Sequence, residues 1–154
     1  MSARHEQLLD ELRETLEELP RAIAAVEAEH LADSRPGSGE WSPREVMAHL
    51  ADAETVYGIR IRMIVGGDGP RLEAYDQDRW TARFSDLDTL GSALERWRVM
   101  RESTLRLLDS LSEDEWSRSG LHAERGEESV LNQVEIMAGH DRGHLEQMLV
   151  LVGE

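Results

Sequence analysis

The feature that most limits what this chain can become is the spacing of its apolar residues. Leu8, Leu12, Leu16, Leu19, Ile23 and Val26 follow one another at steps of three or four. Side chains at that spacing stack on one face of an α-helix, so the stretch predicts a helix near 3–30 that buries one stripe. The register passes through Pro20 without slipping, which reads as a kink in one helix; a break into two helices is the alternative. Val46, His49, Leu50, Ala53, Tyr57, Ile61 and Ile64 repeat the pattern near 43–65. Leu87, Leu90, Leu94, Trp97, Arg101, Thr104, Leu108 and Leu111 do so near 86–111, with Arg101 a charge where the pattern wants a hydrophobe. A fourth run covers about 129–152.

Punctuation between the runs agrees. Ser42 reads as an N-cap, Pro43 as the first helical residue and Glu45 as the partner that closes a capping box. Ser112 and Glu115 form a second box, starting a short helix that ends near Trp116-Ser117, and Ser129 caps the last long helix. Residues 34–39 are a loop by composition. Gly66-Gly67-Asp68-Gly69-Pro70 ends the second helix, and from there to about Ser85 the chain is polar and irregular. A connection of roughly 20 residues is long for a bundle. It can run the length of a helix, so the second and third long helices can lie parallel and the connection can cover a site. No strand signal of weight is present. The expected fold is all-α: one domain over 1–154, a four-helix bundle in which Val46, Leu94 and Val134 share a core.

Composition closes off several function classes. The 154 residues include no cysteine, which removes disulfides, thiolate ligands and any protein thiol nucleophile. All 17 basic residues are arginine, so lysine chemistry is absent. A net charge of −15 argues against nucleic acid and anionic membranes as partners. No secretory signal or membrane-length apolar run is seen, so the expected location is cytoplasmic. The expected partner is a small-molecule substrate, with a homodimer left open.

His140-Asp141-Arg142-Gly143-His144 carries the clearest chemistry. Four helical residues advance about 6 Å and rotate about 40°, so the two imidazoles emerge one above the other, able to close on one metal ion. A third ligand is needed, and His49, on the apolar face of the second helix, is the best candidate.

Trp41-Ser42-Pro43-x-Glu45-x-x-x-His49-Leu50-x-Asp52, followed by His140-x-x-x-His144-Leu145-x-Gln147, resembles the DinB-like (YfiT-like) superfamily of metalloenzymes. Arg101 with Leu107-Leu108, Asp114-x-Trp116 and Gly126-x-x-Ser129-Val130-Leu131 extend the resemblance over nearly the whole chain. It implies a four-helix bundle with a long connection between helices 2 and 3, and a divalent metal, zinc or nickel, on His49, His140 and His144. Iron, used by sulfoxide synthases with a similar bundle, is the less expected metal, because those enzymes need a second domain. Relatives in the superfamily include transferases and isomerases that use low-molecular-weight thiols such as bacillithiol or mycothiol.

Around this constellation, Asp52 can orient a ligand imidazole or accept a proton, or form a salt bridge. Arg101 can anchor an anionic substrate, or pair with a buried carboxylate. These two are the candidate catalytic residues. His122 reads as a loop residue, His5 and His30 as exposed helix-end residues, the four tryptophans as packing anchors, and Met137 and Met148 as core. A metal with an open position supports two reactions: transfer of a small-molecule thiol to an electrophile, or hydrolysis of a small ester or amide. The resemblance favours the first. A non-catalytic metal- or ligand-binding bundle is the reading from another class.

Overall fold

Each long helix begins at a side-chain cap that the sequence supplies. In the computed structural model, which describes Met1–Glu154, α1 spans Ala3–Ala28, α2 Pro43–Gly66, α4 Leu90–Asp109 and α6 Val130–Leu151. Ser2, Ser42, Thr89 and Ser129 each accept a backbone N–H of the first turn. Helix α1 runs through Pro20 as one element. The box expected at Glu45 does not close, because that carboxylate turns away to pair with Arg35. The box at Ser112–Glu115 does close and starts α5, Glu113–Ser117.

All four long helices contribute to two apolar clusters. In one, Leu8 and Leu12 from the start of α1 meet Ile61 and Ile64 from the end of α2, Leu108 from the end of α4, and Val134 from the start of α6. In the other, Ile23 and Val26 meet Val46 and Leu50, Trp97, and Leu145 and Met148. Helices α1 and α6 therefore run one way, α2 and α4 the other. Each of α1 and α2 packs on both α4 and α6, so α1 and α2, consecutive in sequence, sit diagonally. The expected parallel pair is real.

A charged layer divides the clusters. Arg101 is wholly buried, and its five N–H groups are all engaged. Nε and Nη2 reach the two Glu54 oxygens at 3.0 and 2.8 Å. Nη2 also meets Asp141, while Nη1 reaches Leu12 O and Thr15 Oγ1 at 3.2 and 2.9 Å. Val46 and Leu94 consequently lie on one side of this layer and Val134 on the other, not in one undivided core.

The two long connections correct the sequence reading. The one after α2 is not irregular: it holds a two-residue strand β1 (Arg71–Leu72), helix α3 (Gln77–Phe84) and a 3₁₀ turn at Ser85–Leu87. Asp76 caps α3 by accepting from the Arg79 N–H at 3.0 Å. Thr89 starts α4 four residues later than expected, leaving Leu87 in the turn and exposed. Strands are also present after α5. Strands β2 (Ser119–His122) and β3 (Gly126–Ser129) form an antiparallel hairpin, and β1 pairs with β2 in parallel. Gly126 takes φ 84°, which closes the hairpin turn. At Gly120 a Cβ would stand 2.7 Å from the Pro70 carbonyl oxygen, so only glycine lets the strands approach. The sheet ties the two connections together over one flank of the bundle.

His5 and His122, read as peripheral, are both buried. His5 stacks on Trp116 with ring centroids 4.3 Å apart and closes the α1 cap through Nδ1. His30, as expected, is exposed. No helix is long and apolar enough to cross a membrane.

Candidate metal centre

Helices α2 and α6 are antiparallel neighbours, and their facing sides bring three imidazoles together. His140 and His144, one turn apart on α6, have ring centroids 4.7 Å apart. His49 on α2 stands 4.8 Å from the first and 5.1 Å from the second. Its Nε2 is 2.8 Å from His140 Nε2, and one nitrogen from each ring lies within 4.8 Å of the others. The expected trio is assembled. The trio lies part-way along the bundle: His140 is midway along α6, and Asp141 beside it belongs to the charged layer.

Burial favours the neutral form of all three rings, and mutual repulsion adds to it at His49 and His140. Desolvation, followed by the charges that His140 and His144 would carry, lowers the His49 pKa from 6.5 to about 3. His140 falls to about 4, again chiefly through burial, and His144 is lowered for the same reason. Neutral imidazole is the ligating form. His144 Nδ1 lies 3.0 Å from Gln147 Oε1, which puts the proton on Nδ1 and leaves the Nε2 lone pair free. Nitrogens bonded at about 2.0–2.1 Å to a tetrahedral zinc are roughly 3.3 Å apart. Small rotations of these rings meet that spacing, so the residues fit a divalent metal. Trp41 closes one side, its ring 4.9 Å from His49 and 6.4 Å from His144, and Tyr57 meets His140 edge-on at 6.2 Å.

The two candidate catalytic residues do not join the trio as free groups. Asp52 takes the salt-bridge alternative, 2.8 Å from Arg96 Nη1, which also holds Asp88 through Nη2 at 2.8 Å. Arg101 takes the buried-pair alternative; with every donor engaged, it has none to offer an incoming anion. Burial pushes the Glu54 pKa up even beside Arg101, because one guanidinium serves two carboxylates there.

Glu54, and the parts that Gln147 and Trp41 play beside the trio, were not read from the sequence. Gln147 had a signal, being one helical turn beyond His144. Glu54, five residues after His49, had none, since its importance depends on Arg101 reaching across from α4.

A model for the DinB superfamily matches residues 4–148. The chain belongs to the DinB superfamily. Among curated DinB relatives, a protein of Oceanobacillus iheyensis, provisionally named a metal-dependent hydrolase, is 26% identical over 94% of this chain and 86% of its own length. A similarly named protein of Bacillus mycoides is 26% identical over 90% and 82%. YfiT of Bacillus subtilis, described with equal reserve as a metal-dependent hydrolase of unusual four-helix bundle topology, superposes with a TM-score of 0.86. That match has 20% identity over 99% of this chain and 90% of YfiT. The mycothiol-dependent maleylpyruvate isomerase gives 0.73 at 15% identity, over 96% of this chain and 63% of the isomerase. Both structures share the fold of this chain.

Proposed function

We propose that this chain is a metal-dependent enzyme in which His49, His140 and His144 hold a divalent cation, and that it joins a low-molecular-weight thiol to a small electrophile. The observation that carries the reading is three neutral imidazoles converging with no uncommitted carboxylate among them. Glu54 and Asp141 are spent on Arg101, and Asp52 on Arg96. Metal-assisted hydrolysis commonly sets a carboxylate base beside the attacking water. A cation held by three neutral nitrogens would keep its full charge and would supply the electrostatic pull that acidifies a coordinated thiol or water. A thiol therefore needs no protein base, and a chain without cysteine must draw its sulfur nucleophile from solution.

The residues around the trio have assignable tasks. Gln147 fixes the His144 tautomer, Trp41 shields the ring faces from water, and the Arg101 layer holds α6 and α2 in register so that the three nitrogens stay together. Hydrolysis of a small ester or amide is the second reading, favoured by the names of the bacterial relatives.

One experiment separates the readings. Zinc- or nickel-loaded and metal-free protein are assayed with a chlorodinitrobenzene electrophile and with a nitrophenyl ester, each with and without bacillithiol, mycothiol or glutathione. Turnover of the electrophile that needs both metal and thiol, and is lost in His144→Ala, supports the transferase. Ester turnover that needs metal but no thiol selects the hydrolase. Equal rates with and without metal overturn both.

A further inference from the structure

Next to the trio, and sharing His140 as a wall, is a cavity of about 130 Å³ that also involves Tyr57, Arg60, Tyr75 and His122. Arg60 comes from α2 and is only 5% exposed. Its Nη2 donates to the Glu73 carbonyl at 2.6 Å, yet its Nε–H is buried without a partner and no carboxylate pairs with the guanidinium. Arg101 shows what this protein does with a buried arginine when it is structural: every donor is matched. At Arg60 the match is missing. Burial and the neighbouring charge of Arg125 work against its cation.

His122, at the end of β2, repeats the pattern. Its Nδ1 accepts the backbone N–H groups of Glu124 and Arg125, both at 3.1 Å, so the ring proton is on Nε2. That Nε2–H is buried and has no acceptor. Leaving a buried donor unmade costs about 1–3 kcal/mol, more for a charged group. Arg60 and His122 both line this cavity, and each carries a buried donor that the protein leaves unmatched, which suits the cavity to an acceptor that arrives from outside. The other charges nearby leave Arg60 uncompensated: Arg125 is paired with Glu128, which Gln133 also holds, and Glu124 is exposed at the rim. There water screens its charge.

We infer that this cavity seats a carboxylate of the small molecule that reacts at the histidine trio, with Arg60 and His122 as its donors. The identity of the reacting molecule rests on the proposed function; the anion site itself does not. A cavity of this size takes a carboxylate and two or three carbons, since a cavity of about 150 Å³ is filled by benzene. The rest of the molecule passes Tyr57 to reach His140, which makes the substrate class a short-chain carboxylic acid bearing its reactive centre a few bonds from the carboxylate.

The test is a titration of the metal-free full chain with propionate and with its neutral isostere propionamide, followed by NMR at the arginine Nε–H groups. Propionate should shift the Arg60 signal saturably and propionamide should not. Arg60→Gln and His122→Gln should each weaken propionate at least tenfold. Zinc titration of the same samples should give the affinity of wild type. Equal responses to the acid and the amide overturn the inference in wild-type protein alone, whether or not a variant folds. So does unchanged propionate binding in a folded Arg60→Gln. Propionate binding without zinc binding leaves the anion site standing and removes the metal reading; zinc binding without propionate binding does the reverse.

Discussion

Replacing Arg101 by methionine removes the only cation in the buried layer and leaves Glu54 and Asp141, 2% and 6% exposed, facing each other. The Thr15 hydroxyl and the Leu12 carbonyl lose their donor as well. Breaking one side of a buried ion pair costs about 3–5 kcal/mol, since the remaining charge has no solvent and no partner. For a chain of this length each kcal/mol moves Tm by roughly 2–4 °C, so the expected loss is roughly 6–20 °C. Glu54 can escape by taking up a proton, since burial already pushes its pKa up and the variant removes the guanidinium that holds it down. The difference from wild type should therefore be larger at pH 8 than at pH 5. Adding Glu54→Leu and Asp141→Leu to Arg101→Met removes the stranded charges and should recover most of the loss. Urea unfolding of the three proteins at both pH values measures all of this. A loss below about 1 kcal/mol for Arg101→Met, or the same loss at pH 5 and pH 8, would refute the argument that the layer's stability is a matter of buried charge.

His49→Ala should weaken zinc by orders of magnitude by competition with a chelating dye, because two ligands on α6 cannot enclose the ion. Gln147→Leu should cost zinc affinity about 10–100-fold while leaving stability nearly unchanged, as expected when an imidazole loses the group that fixes its proton. Metal-free protein should lose stability as pH falls from about 6.5 toward 3. Across that window the unfolded chain binds protons at His49, His140 and His144 that the folded chain refuses, so unfolding is favoured by acid. His49→Phe should flatten this dependence in calorimetric scans. Gly120→Ala should destabilise by about 1–3 kcal/mol, with faster amide exchange in β2, because its new methyl meets the Pro70 carbonyl.

The four long helices were legible because each is amphipathic over more than five turns and begins at a side-chain cap. The trio was legible for a related reason: His140 and His144 need only helical spacing, and His49 stands on a face already marked as inward by Val46 and Leu50. The small sheet was not. Its strands are two to four residues long, and Ser119-Gly120-Leu121-His122 against Gly126-Glu127-Glu128-Ser129 offers no β-branched or aromatic residue. They pair because the two connections are brought side by side, which is a property of the finished bundle. Arg60 and Glu54 were missed for the same reason. Each is one charge on a helix, and its meaning comes from what is, or is not, opposite it.

The parallel arrangement of α2 and α4 has a consequence for how such a protein can change. A bundle whose helices simply alternate in direction needs only short turns, so little chain is left over for other purposes. Here the path must travel back along the molecule before α4 can begin, and that return leg contributes Tyr75 and, through Glu73, the clamp on Arg60. The helices are thus free to stay constant as a chassis that carries the histidines. The returning strip can be rewritten in length and sequence, making it the natural place to graft a different substrate preference onto the same centre.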